Sequence, residues 1–231
     1  MSHQDDVYIA QAELYDAMVN CQPDLSDVIR EIRPFEGLDV LDLGAGCGRL
    51  STIIAPTAKS LVCTDISRPM LDRLDHKLRR SEYPLNWKTV VSDHRELPLP
   101  DSSVDLIVSG WSICYLTGTE NTNWPQNLDL IMTELQRVLR PGGSIIIFET
   151  MGTGVEAPNP PEFLTPYYAL LQERHGFDYR WIRMDYRFNS VSEAVDKTDF
   201  FFGQEITNRI KEKQWTTVPE CAGVWWRHFN I

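Results

Sequence analysis

The sequence predicts an α/β fold, an open sheet of seven mostly parallel strands with helices on both faces, and three observations carry that reading. Short apolar runs alternate with amphipathic helical patterns from residue 39 to residue 148, the order that buries a parallel sheet between helical layers joined by right-handed crossovers. The first apolar run ends in a glycine-rich turn, Leu43-Gly44-Ala45-Gly46-Cys47-Gly48, at the carboxyl edge where such sheets bind ligands. The chain has 231 residues, 42% of them hydrophobic and 24% charged, which suits one domain of this kind and is cramped for two.

Residues 7–19 set Ile9, Ala10, Leu14, Tyr15 and Met18 at helical spacing, and residues 25–32 repeat the signal. Residues 1–36 therefore read as a helical cap ahead of one compact unit, 37–231. Pro34-Phe35-Glu36-Gly37 breaks the chain, and Asp39-Val40-Leu41-Asp42-Leu43 predicts a buried parallel strand, followed by a short helix over 49–54. A strand over 60–64, a helix over 69–80, and strands over 87–91 and 104–109 come next. Residues 128–139 carry Leu130, Ile131, Leu135, Val138 and Leu139 on one face and stop at Pro141-Gly142-Gly143, before a fifth strand over 144–148. Residues 151–161 hold two glycines and three prolines and read as a loop. Helices over 162–173, 190–202 and 204–211, an alternating near-edge strand over 181–188 and a last strand over 224–229 complete the pattern.

Lys plus Arg is 22 against 33 Asp plus Glu, a net charge of −11, which opposes a polyphosphate partner and makes nucleic acid a poor substrate. The basic run Arg73, Lys77, Arg79 and Arg80 shares a helix with Leu71, Leu74 and Leu78 and reads as a solvated face. Five cysteines are scattered without a Cys-x-x-Cys pair, so reduced thiols and no metal site are expected. No apolar run approaches the ~18 residues of a membrane span, which leaves the cytoplasm as the expected compartment.

A tight turn at a strand end, with side chains absent, lets backbone approach a nucleotide-like cofactor closely. A dinucleotide fingerprint needs Gly-x-Gly-x-x-Gly, but three residues after Gly46 stands Arg49, and the third glycine is Gly48. A nicotinamide-dependent dehydrogenase would need that spacing and a catalytic Tyr-x-x-x-Lys or its equivalent, and neither is present.

The run Val40-Leu41-Asp42-Leu43-Gly44-Ala45-Gly46-Cys47-Gly48 resembles the first motif of the class I S-adenosylmethionine-dependent methyltransferases. Asp65 with Ile66-Ser67-Arg68-Pro69-Met70-Leu71, then Ser92-Asp93-His94, the stretch from Leu97 to Ile107, and Leu139-Arg140-Pro141-Gly142-Gly143-Ser144 are family-like in the same order, so the resemblance covers about residues 39–150. It implies a Rossmann-like sheet with its last strand antiparallel, and S-adenosyl-L-methionine as cofactor. It also implies a cofactor site of Asp42, Gly44, Ala45, Gly46 and Gly48 in the turn, Asp65 on the ribose hydroxyls, and Ile66 and Met70 beside the adenine. Asp93 and the His94 backbone would meet the adenine edge, Ser109 and Gly110 would lie at the end of the fourth strand, and Tyr15 would touch the cofactor from the first helix. Each has a plainer reading: the glycines as turn formers, Asp42 as a capping acid, Asp65 as a loop Asx residue.

The motifs are most similar to the ubiquinone and menaquinone biosynthesis type, which implies methyl transfer to a small-molecule O-, C- or N-nucleophile by in-line displacement. Trp111-Ser112-Ile113-Cys114-Tyr115 lacks the Asn/Asp-Pro-Pro-Tyr motif of exocyclic-amine and glutamine methyltransferases. Three residues are candidates for catalysis: His94, the one histidine on a motif loop, Tyr115 and Glu149. Tyr115 either lines the acceptor pocket or packs with Trp111. Tyr8, Tyr15, Asp16, Tyr167 and Tyr168 form either an aromatic lid or an amphipathic core face, and His175 and His228 read as structural. A cofactor-binding domain without catalysis, acting as regulator or scaffold, is the alternative function.

Overall fold

The computed structural model describes residues 12–229. Its strands are β1 (Asp39–Leu43), β2 (Ser60–Asp65), β3 (Trp87–Val91), β4 (Val104–Gly110), β5 (Leu139–Thr153), β6 (Asp178–Arg183), β7 (Tyr186–Arg187), β8 (Thr217–Val218) and β9 (Glu220–His228). Its helices are α1 (Ala12–Val19), α2 (Ser26–Ile32), α3 (Ser51–Ile54), α4 (Arg68–Arg80), α5 (Cys114–Thr117), α6 (Trp124–Val138), α7 (Thr165–Glu173) and α8 (Val191–Lys213). One seven-stranded sheet has the order β3-β2-β1-β4-β5-β9-β6. β1 to β5 pair in parallel, and β9 runs antiparallel between β5 and β6, as expected of a Rossmann-like sheet with its last strand reversed.

Successive side chains of a strand point to opposite faces, and the central strands divide between two cores accordingly. Leu41, Leu43, Ile107, Ile145 and Ile147 pack with Leu128, Ile131 and Leu135 of α6 and with Tyr167 and Leu171 of α7. Val40, Leu61, Leu106, Val108, Ile146 and Phe148 pack with Ile29, Ile54, Leu71, Leu74 and Leu78 on the other face. All five residues of β1 are buried, which explains its unbroken apolar reading. The registers Leu43 to Thr64 and Leu43 to Ser109 bring the ends of β1, β2 and β4 level beneath the glycine turn.

The structure departs from the sequence reading where long-range pairing overrides local pattern. The strand expected over 181–188 divides: Met184 N–H donates to the Glu220 carbonyl at 2.8 Å and Asp185 Oδ1 accepts from Glu220 N–H at 3.0 Å, after which β7 leaves the sheet to pair with β8. The loop expected from 151 starts later, because β5 continues to Thr153 opposite Glu220 across a register shift. The break expected at residue 203 is present as a kink in α8, where Gly203 has φ +70°.

Tyr8, and the start of the helix expected over 7–19, lie outside the described residues. α1 joins a third cluster in which Met18 and Val19 meet Cys47, Met70, Tyr186, Phe188, Ala194 and Ile206. The basic run on α4 is only partly a solvated face: Arg73 and Lys77 both bind Asp16 of α1, and Arg73 also binds Glu13, because the cap lies against α4. Asp16 is thus a buried anchor of the cap. Of the two readings open for Tyr167 and Tyr168, the structure shows the core face: both are buried, their rings tilted against each other and Tyr168 against Trp225 of β9. Among the described residues, no helix is long and apolar enough to cross a membrane.

Candidate active site

Gly44 opens the turn with φ +73°, and a Cβ there would stand 1.8 Å from Ser112 Oγ and 3.3 Å from His94 Cε1. Only glycine allows the loops after β3 and β4 to close on the end of β1. The N–H groups of Gly44 and Ala45 both donate to the Thr64 carbonyl at 2.8 Å, Gly46 N–H donates to Asp65 Oδ2 at 2.9 Å, and Gly48 N–H to the Ala45 carbonyl at 2.8 Å. Amides turned inward in this way cannot cradle a pyrophosphate, which agrees with the spacing argument against a dinucleotide.

Asp65 ends β2 with one oxygen accepting from Gly46 N–H and the other from Ser67 N–H at 2.7 Å. Burial raises its pKa, while those two bonds act in the opposite direction. A carboxylate has about four acceptor positions, so capacity for two hydroxyls is left. Ile66 beside it is 70% exposed, an apolar side chain offered to solvent at a ligand edge, and a Cβ on Gly46 would meet nothing within 4 Å. An anchored carboxylate, an exposed aliphatic flank and open space over the turn together fit the ribose and adenine of S-adenosylmethionine.

Other expected cofactor residues have internal occupations. Asp42 is buried and accepts from Ser51 Oγ at 2.5 Å, tying β1 to α3, and burial pushes its pKa up to about 7. Met70 is packed with Met18 and Cys47 in the core, apart from the exposed Ile66. Ser109 is buried with its hydroxyl on the Leu43 carbonyl, and Gly110 lies against Leu50. Both oxygens of Asp93 are held by the Arg95 guanidinium, at 2.9 and 2.7 Å, which holds its pKa below the usual carboxylate value.

The proposed catalytic residues are not brought to one point. His94 is buried, its Nε2 is 2.8 Å from Ser112 Oγ, and its Nδ1 is sealed from solvent without a partner. Burial pushes its pKa down to about 4, so the imidazole is neutral at pH 7. Glu149 is fully buried; Oε1 accepts from Cys114 N–H at 3.0 Å and from the Tyr167 hydroxyl at 3.4 Å, Oε2 has no partner among the described residues, and burial pushes the pKa to about 7. Glu149 braces the start of α5, whereas Tyr115 in α5 lines a cavity of about 530 Å³.

That cavity begins where β4 ends. Trp111 takes a left-handed backbone, φ +52°, which is uncommon for a bulky residue, and its ring stacks on Phe148 with centroids 6.1 Å apart. The Arg49 guanidinium carbon lies 3.5 Å over the Trp111 ring, a cation–π contact. Tyr15 and Phe202 reach the cavity from α1 and α8, Tyr186 from β7 and Glu220 from β9. Arg49 and Glu220 were not expected from the sequence as site residues. The available signals were a charge placed between Gly48 and the apolar Leu50, and a lone acid at the start of the last apolar strand.

The family model for the Methyltransferase domain matches residues 41–147. The malonyl-[acyl-carrier protein] O-methyltransferase of Yersinia pestis is 30% identical over 144 residues, 62% of this chain and 48% of that protein. The demethylmenaquinone methyltransferase of Tropheryma whipplei is 28% identical over 134 residues, 58% of this chain and 48% of its own. This chain thus spans about half the length of these curated relatives. A solved SAM-dependent methyltransferase from Aquifex aeolicus superposes with a TM-score of 0.57 at 18% identity, covering 96% of this chain and 92% of the other, a likeness of fold.

Proposed function

We propose, from the match of residues 41–147 to the Methyltransferase domain family and the likeness of fold to a solved SAM-dependent methyltransferase, that this chain transfers a methyl group from S-adenosylmethionine to a small-molecule acceptor by in-line displacement. The observation that carries the reading is that one sheet edge holds two unlike spaces, open ground over Gly46 and an aromatic cavity lined by Trp111, with Gly44 closing against Ser112 between their loops. When bound, the cofactor supplies an activated methyl on a sulfonium, so no covalent enzyme intermediate is required.

The chain's own residues then have four tasks. Asp65, already anchored by two amides, accepts the ribose hydroxyls. Ile66 covers one adenine face, and Asp93 accepts from the exocyclic amine with the lone pairs that Arg95 leaves free. Tyr15, Trp111, Tyr115 and Phe202 surround the acceptor and exclude water from the line of attack. Acceptors that must lose a proton meet Tyr115 first; His94 acts through its hydrogen bond to Ser112, and Glu149 from behind α5.

The relatives named for malonyl-[acyl-carrier protein] and demethylmenaquinone support a small, partly apolar acceptor. Calorimetric titration with S-adenosylmethionine and with NAD, followed by detection of S-adenosylhomocysteine from a panel of phenols, quinols, amines and carboxylates, tests the proposal. Binding of S-adenosylmethionine with product formation is expected. NAD binding without S-adenosylmethionine binding would overturn it, and cofactor binding without turnover on any acceptor would favour a scaffold.

A further inference from the structure

The acceptor cavity holds a cation, Arg49, whose guanidinium makes no salt bridge among the described residues. Arg49 is half-buried, with its Nη2 sealed from solvent and, among the described residues, without a hydrogen-bond partner. The guanidinium carbon stands 3.5 Å from the centre of the Trp111 ring, which itself stacks on Phe148. A buried charge left unpaired is strongly unfavourable, and proteins normally relieve it with a partner. Burial lowers the Arg49 pKa while the nearby Glu220 acts in the opposite direction, and an arginine stays charged throughout. Glu220 Oε1 accepts from Thr150 Oγ1 at 3.2 Å, its Oε2 is sealed without a partner, and burial pushes its pKa to about 8. At neutral pH Glu220 therefore carries a proton and is a donor.

The geometry points to a carboxylate on the acceptor: Arg49 is the anion seat of the cavity, holding the carboxylate of an otherwise apolar or aromatic small molecule. The inference rests on the methyl-transfer reading and adds the substrate class to it. A planar guanidinium fork matches the two oxygens of a carboxylate, and the Glu220 proton is available to the same group. Tyr115, Phe163 and Phe202 supply the apolar remainder of the wall. A phosphate dianion suits this lining less well, because the carboxylate of Glu120 also borders the cavity. An ammonium acceptor would meet Arg49 as a like charge.

Binding to the full chain loaded with S-adenosylhomocysteine, followed by tryptophan fluorescence and calorimetry, tests the assignment. The ligands are phenylacetate and octanoate, each against its carboxamide, with phenyl phosphate and phenethylamine alongside. The acids should bind roughly tenfold or more tightly than the amides, the discrimination expected of a charge-assisted hydrogen bond. Arg49→Met should abolish that preference and leave S-adenosylmethionine affinity unchanged, and Arg49→Lys should keep part of it. Retained cofactor binding also reports that each variant is folded. Equal binding of acid and amide, no binding of either acid, or tighter binding of phenyl phosphate would overturn the assignment. So would a loss of S-adenosylmethionine affinity in Arg49→Met, which would give Arg49 to the cofactor's own carboxylate. Failure of the wild-type chain to bind S-adenosylmethionine would instead remove the methyl-transfer reading itself.

Discussion

Two halves of one sheet edge are built on opposite principles. At the ends of β1, β2 and β3 most polar groups answer one another within the chain, Ser67 Oγ and His94 Nδ1 excepted: the turn amides donate to Thr64, Ala45 and Asp65, and both oxygens of Asp65 and of Asp93 accept bonds. Near β4, β5 and β9, Glu149 Oε2, Glu220 Oε2 and the Nη2 of Arg49 reaching over from the β1 turn are buried without partners among the described residues. The first half is a finished platform that a nucleoside can settle on with little rearrangement. The second stores unmet polar capacity around a cavity, the condition in which a ligand group contributes most. Local turn geometry can build the first, whereas only the assembled fold can build the second.

The most damaging single change to the platform is Gly44→Ala. A left-handed backbone with a Cβ costs about 1–2 kcal/mol, and the clash with Ser112 adds overpacking of about 1–3 kcal/mol. Denaturant unfolding should show a loss on the order of 2–5 kcal/mol, with cofactor affinity reduced as well. Wild-type stability in that variant would mean that the Ser112 and His94 loops do not depend on a bare turn.

Asp65→Ala comes next. Losing a charged hydrogen-bond acceptor should weaken S-adenosylmethionine binding by about 1–3 kcal/mol, read by calorimetry. Asp93→Ala should cost less, about 0.5–1.5 kcal/mol, because Arg95 already occupies both oxygens and the pair is partly exposed. The reverse order of effects would break the contrast between an anchored carboxylate and one shared with a guanidinium.

On the other half the expected signature is pH dependence. Glu220 has a folded pKa of about 8 against an ordinary value of 4.5, so the folded chain holds a proton that the unfolded chain has released between those limits. The associated stability is fully present below pH 4.5 and is lost as pH rises toward 8. Glu149 and Asp42, both near 7, act in the same direction. His94 acts oppositely: its pKa of about 4 lies below the usual 6.5, so stability falls as pH drops through that window. Glu220→Gln should flatten the decline in unfolding free energy between pH 5 and 8. An unchanged slope would mean that Glu220 is ionised in the folded chain.

The same contrast explains what the sequence made legible. The five parallel strands, the turn and Asp65 are readable because each depends on a short run: apolar stretches long enough for a buried strand, glycines at a strand end, an acid at the next strand end. The acceptor half draws on Tyr15, Arg49, Trp111, Tyr115, Tyr186, Phe202 and Glu220, scattered over the chain and joined only by the pairing of β5, β9 and α8. No local spacing announces that Arg49 will lie on Trp111, or that Glu149 will turn behind α5 instead of into the cavity. Tyr167 and Tyr168 show the converse difficulty, since an aromatic pair on a helix looks alike whether it meets a ligand or Trp225.

The division of labour along the edge is tested most directly by a crystal structure of the chain with S-adenosylhomocysteine. The expected result is ribose hydroxyls on Asp65, adenine against Ile66 and the Trp111 cavity left open for the acceptor. An adenosine seated in that cavity, with Asp65 making no contact to it, would contradict the account.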